Sequence, residues 1–207
     1  MGLYDRIFAK FYDRTLEVAE QAGLADRRRQ LLGQASGQVL EIGAGTGLNL
    51  AYYPEGLTRL VLTEPSGPMA AQLREKLGEL TIDAEVVEAP AESLPFEDSS
   101  FDTIVGTLVL CTVNDPEASL AEIRRLLVPG GQLLLLEHVR SQDPASAKWQ
   151  DRFETPWRLY GNGCYCNRDT VSLVSAAGFE FDQLDHGRFP KAPPIVRPLI
   201  QGRAVSL

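Results

Sequence analysis

Residues 39–49, Val-Leu-Glu-Ile-Gly-Ala-Gly-Thr-Gly-Leu-Asn, constrain this chain more than any other stretch. A short apolar run holding one acid, Glu41, leads into three glycines at alternate positions, Gly43, Gly45 and Gly47. The pattern predicts a buried strand that turns sharply into a helix. Glycine there removes the side chains that keep a ligand off the backbone, and it tolerates a positive φ. A helix starting near Gly47 aims unpaired N–H groups at whatever lies on the loop. The spacing narrows the ligand. A dinucleotide fingerprint reads G-x-G-x-x-G, with its third glycine inside the helix; here the third glycine comes sooner. A carboxylate at the strand end suits a cationic group, not a pyrophosphate.

The chain around this loop has the size of one domain, 207 residues. Its net charge of -8 and sequence pI of about 4.9 disfavour DNA or RNA as partners. The short basic runs Arg27-Arg28-Arg29 and Arg124-Arg125 fall in helical patterns and are read as solvated faces. Three cysteines make a disulfide framework improbable and fit a reducing, cytoplasmic location. No apolar run approaches the roughly 18 residues of a membrane span, and no signal-peptide core is read at the N-terminus.

Leu3, Ile7, Phe8, Phe11, Tyr12 and Leu16 give one apolar face to a helix over 3 to about 20. A second helix runs from about Leu24 to Leu32 and stops at Gly33. Strands are expected at Gln38–Ile42, Leu57–Thr63, Ile82–Glu88, Phe101–Leu108 and Gln132–Glu137, the last an apolar run suited to burial on both faces. A short helix after the glycine loop is ended by Pro54. Further helices are expected from Ser66 to about Leu77 and from Asp115 to Leu127, the latter capped by Asp115 with Pro116 at its first position. Pro129-Gly130-Gly131 reads as a turn. Residues 140–166 break the alternation and read as a helix around Ser146–Phe153 followed by an irregular loop. A last helix, Asn167–Ala177, stops at Gly178. Phe179–Asp185 and Ile200–Val205 are strands joined by a link too short for a helical crossover, so they pair antiparallel. The expected fold is α/β: a doubly wound, Rossmann-like, mostly parallel seven-stranded sheet with an antiparallel C-terminal strand.

In such a sheet the ligand lies outside the carboxyl ends of the strands. Glu64, at the end of the second strand, can accept two ribose hydroxyls. Met69, one turn into the next helix, either lies against a base or packs in the core.

The glycine stretch resembles the first motif of class I S-adenosylmethionine (SAM)-dependent methyltransferases. Ala91-Glu92-Ser93-Leu94-Pro95-Phe96 and Asp98-Ser99-Ser100-Phe101-Asp102 resemble the second and third. Many relatives carry Asp where this chain has Pro90, so Glu92 or backbone carbonyls take over the adenine amino contact. The segments 107–113, 126–131 and Glu137-His138-Val139 narrow the resemblance to the methyltransferase-like thiol S-methyltransferases, as do Gly163-Cys164 with Arg168 and Val196-Arg197-Pro198. The resemblance implies SAM as cofactor and S-adenosylhomocysteine as product. It implies a cofactor site from Glu41, Gly43, Ala44, Gly45, Gly47, Asn49, Glu64, Pro65, Met69, Ala91, Glu92, Thr107 and Leu108, with Glu41 facing the methionine amino group.

Methyl transfer from a sulfonium needs alignment, exclusion of water and, for some acceptors, a base. His138, just after the fifth strand, is the candidate base, with Glu137 beside it. His186 is a weaker candidate. Cys164-Tyr165-Cys166 lacks a second ligand pair, so no metal is expected, and Cys111 reads as a small apolar residue. Tyr4, Phe8, Phe11, Tyr12 and Trp157, with Trp149 and Tyr160, either line an acceptor pocket or pack in the core. Residues 1–36 are expected to form a helical lid and residues 140–166 an insertion over the acceptor. The expected reaction is methylation of a small apolar acceptor, such as a thiol. The alternatives are O- or C-methylation of a quinone- or phenol-like molecule, or a regulatory SAM-binding module without turnover. A monomer or homodimer is expected, with peripheral membrane contact left open.

Overall fold

A computed structural model describes residues 3–78 and 83–206. Among the described residues, seven strands form one sheet: β1 (Gln38–Ile42), β2 (Arg59–Thr63), β3 (Glu85–Val87), β4 (Phe101–Thr107), β5 (Leu127–His138), β6 (Phe179–Arg188) and β7 (Pro198–Ser206). Their spatial order is β3-β2-β1-β4-β5-β7-β6. Neighbours from β3 through β5 are parallel. β7 runs antiparallel to both β5 and β6. The expected fold class is therefore the observed one. Among the described residues, six α-helices flank the sheet: α1 (Leu3–Ala19), α2 (Ala25–Leu32), α3 (Gly67–Gly78), α4 (Pro116–Leu126), α5 (Pro144–Tyr160) and α6 (Thr170–Ala176). No helix among the described residues is long and apolar enough to cross a membrane.

Side-chain alternation along the strands divides the core in two. Leu133 and Leu135 of β5 join Leu40, Ile42, Val61 and Ile104 on one face. Leu134 and Leu136 join Val39, Leu60, Leu62 and Val105 on the other. α4 covers the first face with Leu120, Ile123 and Leu126, all buried. Each such side chain contributes about 1.5–3 kcal/mol on burial, before the entropy of ordering it. Asp115 caps α4 by accepting from the Ala118 N–H at 2.9 Å, as its sequence predicts. Leu31, Leu32 and Leu73 from α2 and α3 cover the second face.

Several elements differ from expectation. The glycine loop does not open an α-helix. Turns at Ala44–Gly47 and Gly47–Leu50 lead into one tight helical turn, Leu50–Tyr52. Strand β2 starts at Arg59, not Leu57, and β3 covers only Glu85–Val87; Ile82 lies outside the described residues. Pro129-Gly130-Gly131 sits within β5 as a bulge: Leu127 already pairs with Phe101, and regular register resumes at Thr103–Gln132. Helix α5 continues past Phe153 through Pro156 to Tyr160. The ring removes one hydrogen bond, but Pro156 lies on an exposed part of the helix where water can serve the freed carbonyl. α1 and α2 are separated by a kink at Gly23, whose φ of 119° only glycine adopts readily.

Candidate active site

The carboxyl ends of β1, β2, β4 and β5 open on a cavity of about 760 Å³. Gly43 and Gly45 line it after β1, Glu64, Pro65 and Met69 after β2, and Ala91 and Glu92 after β3. Thr107 and Leu108 line it at the end of β4, and His138 at the end of β5. Phe8, Phe11 and Tyr12 contribute from α1, Trp157 from α5, and Phe189 to Pro193 from the β6–β7 link. This is the ligand edge that the crossovers of a doubly wound sheet create.

The three loop glycines serve different ends. Each has a positive φ: 59° at Gly43, 60° at Gly45 and 86° at Gly47. A Cβ on Gly43 would lie 2.3 Å from Val109 Cγ2, and one on Gly47 2.8 Å from Leu50 Cδ1 and Leu73 Cδ1. Those two glycines allow the loop to pack. A Cβ on Gly45 would meet only the Tyr12 ring, at 4.0 Å, so its backbone faces open cavity. Glu64 bridges the loop to β2. Its Oε2 accepts from the Gly45 N–H at 2.9 Å and its Oε1 from the Ser66 N–H at 2.8 Å. Burial raises its pKa, and these two bonds hold it back. Each oxygen keeps a lone pair for a ligand hydroxyl. Leu108, with φ 57° and its N–H bonded to Leu136 O, is a strained residue on the cavity wall.

Behind the loop lies a buried polar network. Arg28 is 2% exposed, so the reading of it as a solvated residue is corrected. It donates to Glu20 Oε1 at 3.0 Å, Asn49 Oδ1 at 2.8 Å and Thr107 Oγ1 at 3.1 Å. Asn49 passes the connection on through its Nδ2, which donates to Glu41 Oε1 at 2.8 Å. Tyr53 OH donates to Glu41 Oε2 at 2.6 Å. Burial raises the pKa of Glu41, and Tyr53, Asn49 and Arg28 oppose that rise. Glu41, Ala44, Gly47 and Asn49 are not among the cavity-lining residues.

At the His138 side the cavity wall is polar. His138 Nε2 lies 2.9 Å from Cys164 Sγ, and Trp157 Nε1–H donates to the same sulfur at 3.2 Å. Cys111 completes the group, with its sulfur and the other two ligating atoms all within 4.8 Å of one another. The Cys111 thiol first, then His138 and Trp157, favours a thiolate on Cys164 and holds its pKa well below the usual thiol range against burial. Burial disfavours a charged His138, but Cys164 outweighs this and raises its pKa. Nδ1 of His138 has no hydrogen-bond partner among the described residues. Glu137 is fully buried and does not line the cavity. Its Oε1 accepts from the Val109 and Leu110 N–H groups, both at 2.8 Å, fixing the turn that carries Cys111. Burial pushes Glu137 up to about 7, with those two bonds and His138 opposing.

Of the expected acceptor residues, Phe8, Phe11, Tyr12, Trp157 and Tyr160 reach the cavity. The side chain of Tyr4 lies outside the described residues. Trp149 is 56% exposed, stacks on Phe153 and does not line the cavity. His186 lies exposed on β6, also away from it. Cys111, read from the sequence as a small apolar residue, and Cys164, singled out there only for its resemblance and for a metal pair left incomplete, both lie at its wall.

A family model described as a methyltransferase domain matches residues 40–135. The Homo sapiens thiol S-methyltransferase TMT1B is 36% identical over 200 residues, covering 88% of this chain and 80% of its own. This chain belongs to the S-adenosylmethionine-dependent methyltransferases. The Homo sapiens thiol S-methyltransferase TMT1A is 31% identical over 221 residues, covering 100% of this methyltransferase and 90% of its own length. A crystal structure from Thermotoga maritima, described as a SAM-dependent methyltransferase and possible histamine N-methyltransferase, superposes with a TM-score of 0.71 at 24% identity. It covers 97% of this methyltransferase and 99% of that chain, and confirms the fold. SAM is therefore the cofactor, and the Gly45 cradle with the paired oxygens of Glu64 fits it: a backbone open to the cavity beside a carboxylate with spare lone pairs.

Proposed function

We propose that this methyltransferase methylates the sulfur of a small apolar thiol. One observation carries the reading: a cavity walled by Phe8, Phe11 and Trp157 runs continuously from Gly45 and Glu64 to the polar group of His138, Cys111 and Cys164. An apolar acceptor fills the aromatic part, and its sulfur meets the polar part. The thiol sequence relatives support the same acceptor class.

Bound SAM supplies an electrophilic methyl group. The chain's residues divide the remaining work. Glu64 accepts the ribose hydroxyls through the lone pairs that Gly45 and Ser66 leave free. Gly43 and Gly45 give the backbone approach, Pro65, Met69, Ala91 and Leu108 flank the cofactor, and Glu92 offers its second oxygen while the first holds the Asn114 and Asp115 N–H groups. Glu41 acts one step back, by holding Asn49 and with it the loop and Thr107. Helix α1 is the lid: Asp13 ties it to Thr46 on the glycine loop and to Lys76 on α3 at 2.6 Å. It excludes water and aligns the acceptor. His138 stands where the acceptor's proton must leave, whereas Glu137 positions the turn beside it.

The test is product formation with acceptors of matched size. S-adenosylhomocysteine should form with an alkyl thiol and not with a quinol or phenol. Turnover with the quinol and none with the thiol would select the alternative acceptor class. SAM binding without turnover on any of them would make the chain a binding module.

A further inference from the structure

We propose that Cys111, His138 and Cys164 form a binding site for a borderline-soft divalent cation of the zinc class, with its fourth position open to the cavity. The three ligand atoms come from separate parts of the fold, the turn after β4, the last residue of β5 and the turn after α5, yet lie within 4.8 Å of one another. A tetrahedral zinc ion, with bonds of about 2.3 Å to sulfur and 2.0–2.1 Å to nitrogen, sets its ligand atoms roughly 3.5–3.8 Å apart. The Nε2 to Sγ distance of 2.9 Å then opens by well under an ångström.

Both turns are held in place. Glu137 fixes the Val109 and Leu110 N–H groups, and the Tyr165 N–H donates to Cys111 O at 2.8 Å. Arg168 donates to Leu110 O and to Val113 O. Gly163, with φ 93°, reverses the chain so that Cys164 returns against Trp157. The Trp157 N–H on Cys164 Sγ is the kind of outer contact that steadies a ligating sulfur. Two thiolates neutralise a divalent cation, which suits ligands that are 2%, 3% and 8% exposed. Two sulfurs and an imidazole favour zinc over magnesium or calcium.

All three residues line the cavity, and three protein ligands leave one tetrahedral position unfilled. The occupant of that position, an acceptor thiol, rests on the function proposed above; cation binding does not. On coordination the S–H bond breaks, a sulfur–metal bond forms and the proton leaves to solvent. Cys111 and Cys164 lose their protons the same way when the cation binds. No atom changes oxidation state. His138 then serves deprotonation as a ligand and not as a base.

The probe is cobalt(II) added to the reduced, chelator-stripped, full-length protein. The expected result is one ion per chain, with sulfur-to-cobalt charge-transfer absorption and intense tetrahedral d–d bands, displaced by zinc. Cys111→Ser and Cys164→Ser should each weaken the charge-transfer band, while Cys166→Ser, outside the cluster, keeps it. Should the serine variants fail to fold, the wild type alone decides: an alkyl thiol should alter the d–d bands and the matching alcohol should not. No charge-transfer absorption, or a Cys111–Cys164 disulfide persisting where the cation was expected, overturns the site. Cobalt bands indifferent to thiol overturn the open position. Thiol methylation by the stripped protein at the full rate overturns the coupling to acceptor activation while leaving the proposed function standing.

Discussion

Replacing Arg28 by Met keeps the apolar stem and removes the guanidinium from the network behind the glycine loop. Asn49 Oδ1 and Thr107 Oγ1 each lose a buried donor, and Glu20 loses its ion-pair partner. Breaking a buried charged pair by removing one partner costs about 3–5 kcal/mol. The Glu20 side chain keeps 15% exposure, so the lower end applies, about 3 kcal/mol. For a chain of this size that is a loss of roughly 6–12 °C in Tm, measured by thermal and urea unfolding followed by circular dichroism. The second half of the test is a cycle with Glu41→Gln. Arg28 offsets part of the burial penalty on Glu41, so Arg28→Met should cost about 1 kcal/mol less when Glu41 is already neutral. The pH dependence has a definite sign. Without Arg28 the pKa of Glu41 rises further above its unfolded value. The folded state then holds that proton more tightly, and the stability deficit shrinks on acidification and grows as pH rises through the folded pKa. A loss below about 1 kcal/mol, or an additive cycle, would refute the network as the support of the loop.

Glu64→Ala should weaken SAM binding about tenfold to a hundredfold by calorimetry, through loss of the ribose contact and of the Gly45 tether; unchanged affinity removes Glu64 from the site. Gly45→Val should abolish SAM binding with the fold retained, because the residue sits at φ 60° with its backbone to the cavity; normal binding would refute the close approach. Gly43→Ala should instead lower stability, since its Cβ meets Val109 Cγ2 at 2.3 Å, and unfolding midpoints unchanged from wild type would contradict that packing. Deleting residues 1–16 should leave a folded, SAM-binding protein whose methyl transfer falls far more than its cofactor affinity. Unfolding of that variant would make α1 core, and full-rate turnover would send the acceptor site to the α5 side.

Much of this was legible because the signals were local. Alternating glycines after an apolar run, an acid closing the next strand and Asp115-Pro116 at a helix start each declare their geometry within a few residues. The hidden parts depend on distance in sequence. Arg28 sits in a triplet of arginines that reads as solvated, and only the fold shows that its partners, Asn49 and Thr107, are on other elements. Cys111, His138 and Cys164 have no ligand-motif spacing; the single available hint was that Cys111 and His138 follow neighbouring strands at the ligand edge. The glycine loop lacks its expected α-helix: successive tight turns satisfy its backbone and lead into the single helical turn Leu50–Tyr52 before Pro54. Pro156 masked the second half of α5 because its cost is small where water reaches the helix.

The position of β7 governs how this molecule is made. β7 is last in chain order yet lies between β5 and β6 in the sheet. On the ribosome, the edge of β5 with its Leu133–Leu136 run stays unpaired until residues 198–206 have emerged, and β6 has no place to dock before then. A nascent chain stalled short of that point carries an open, apolar strand edge, the template on which sheets of different molecules join. Emergence of residues 198–206, and not the formation of the cofactor loop, is therefore the event that covers this edge.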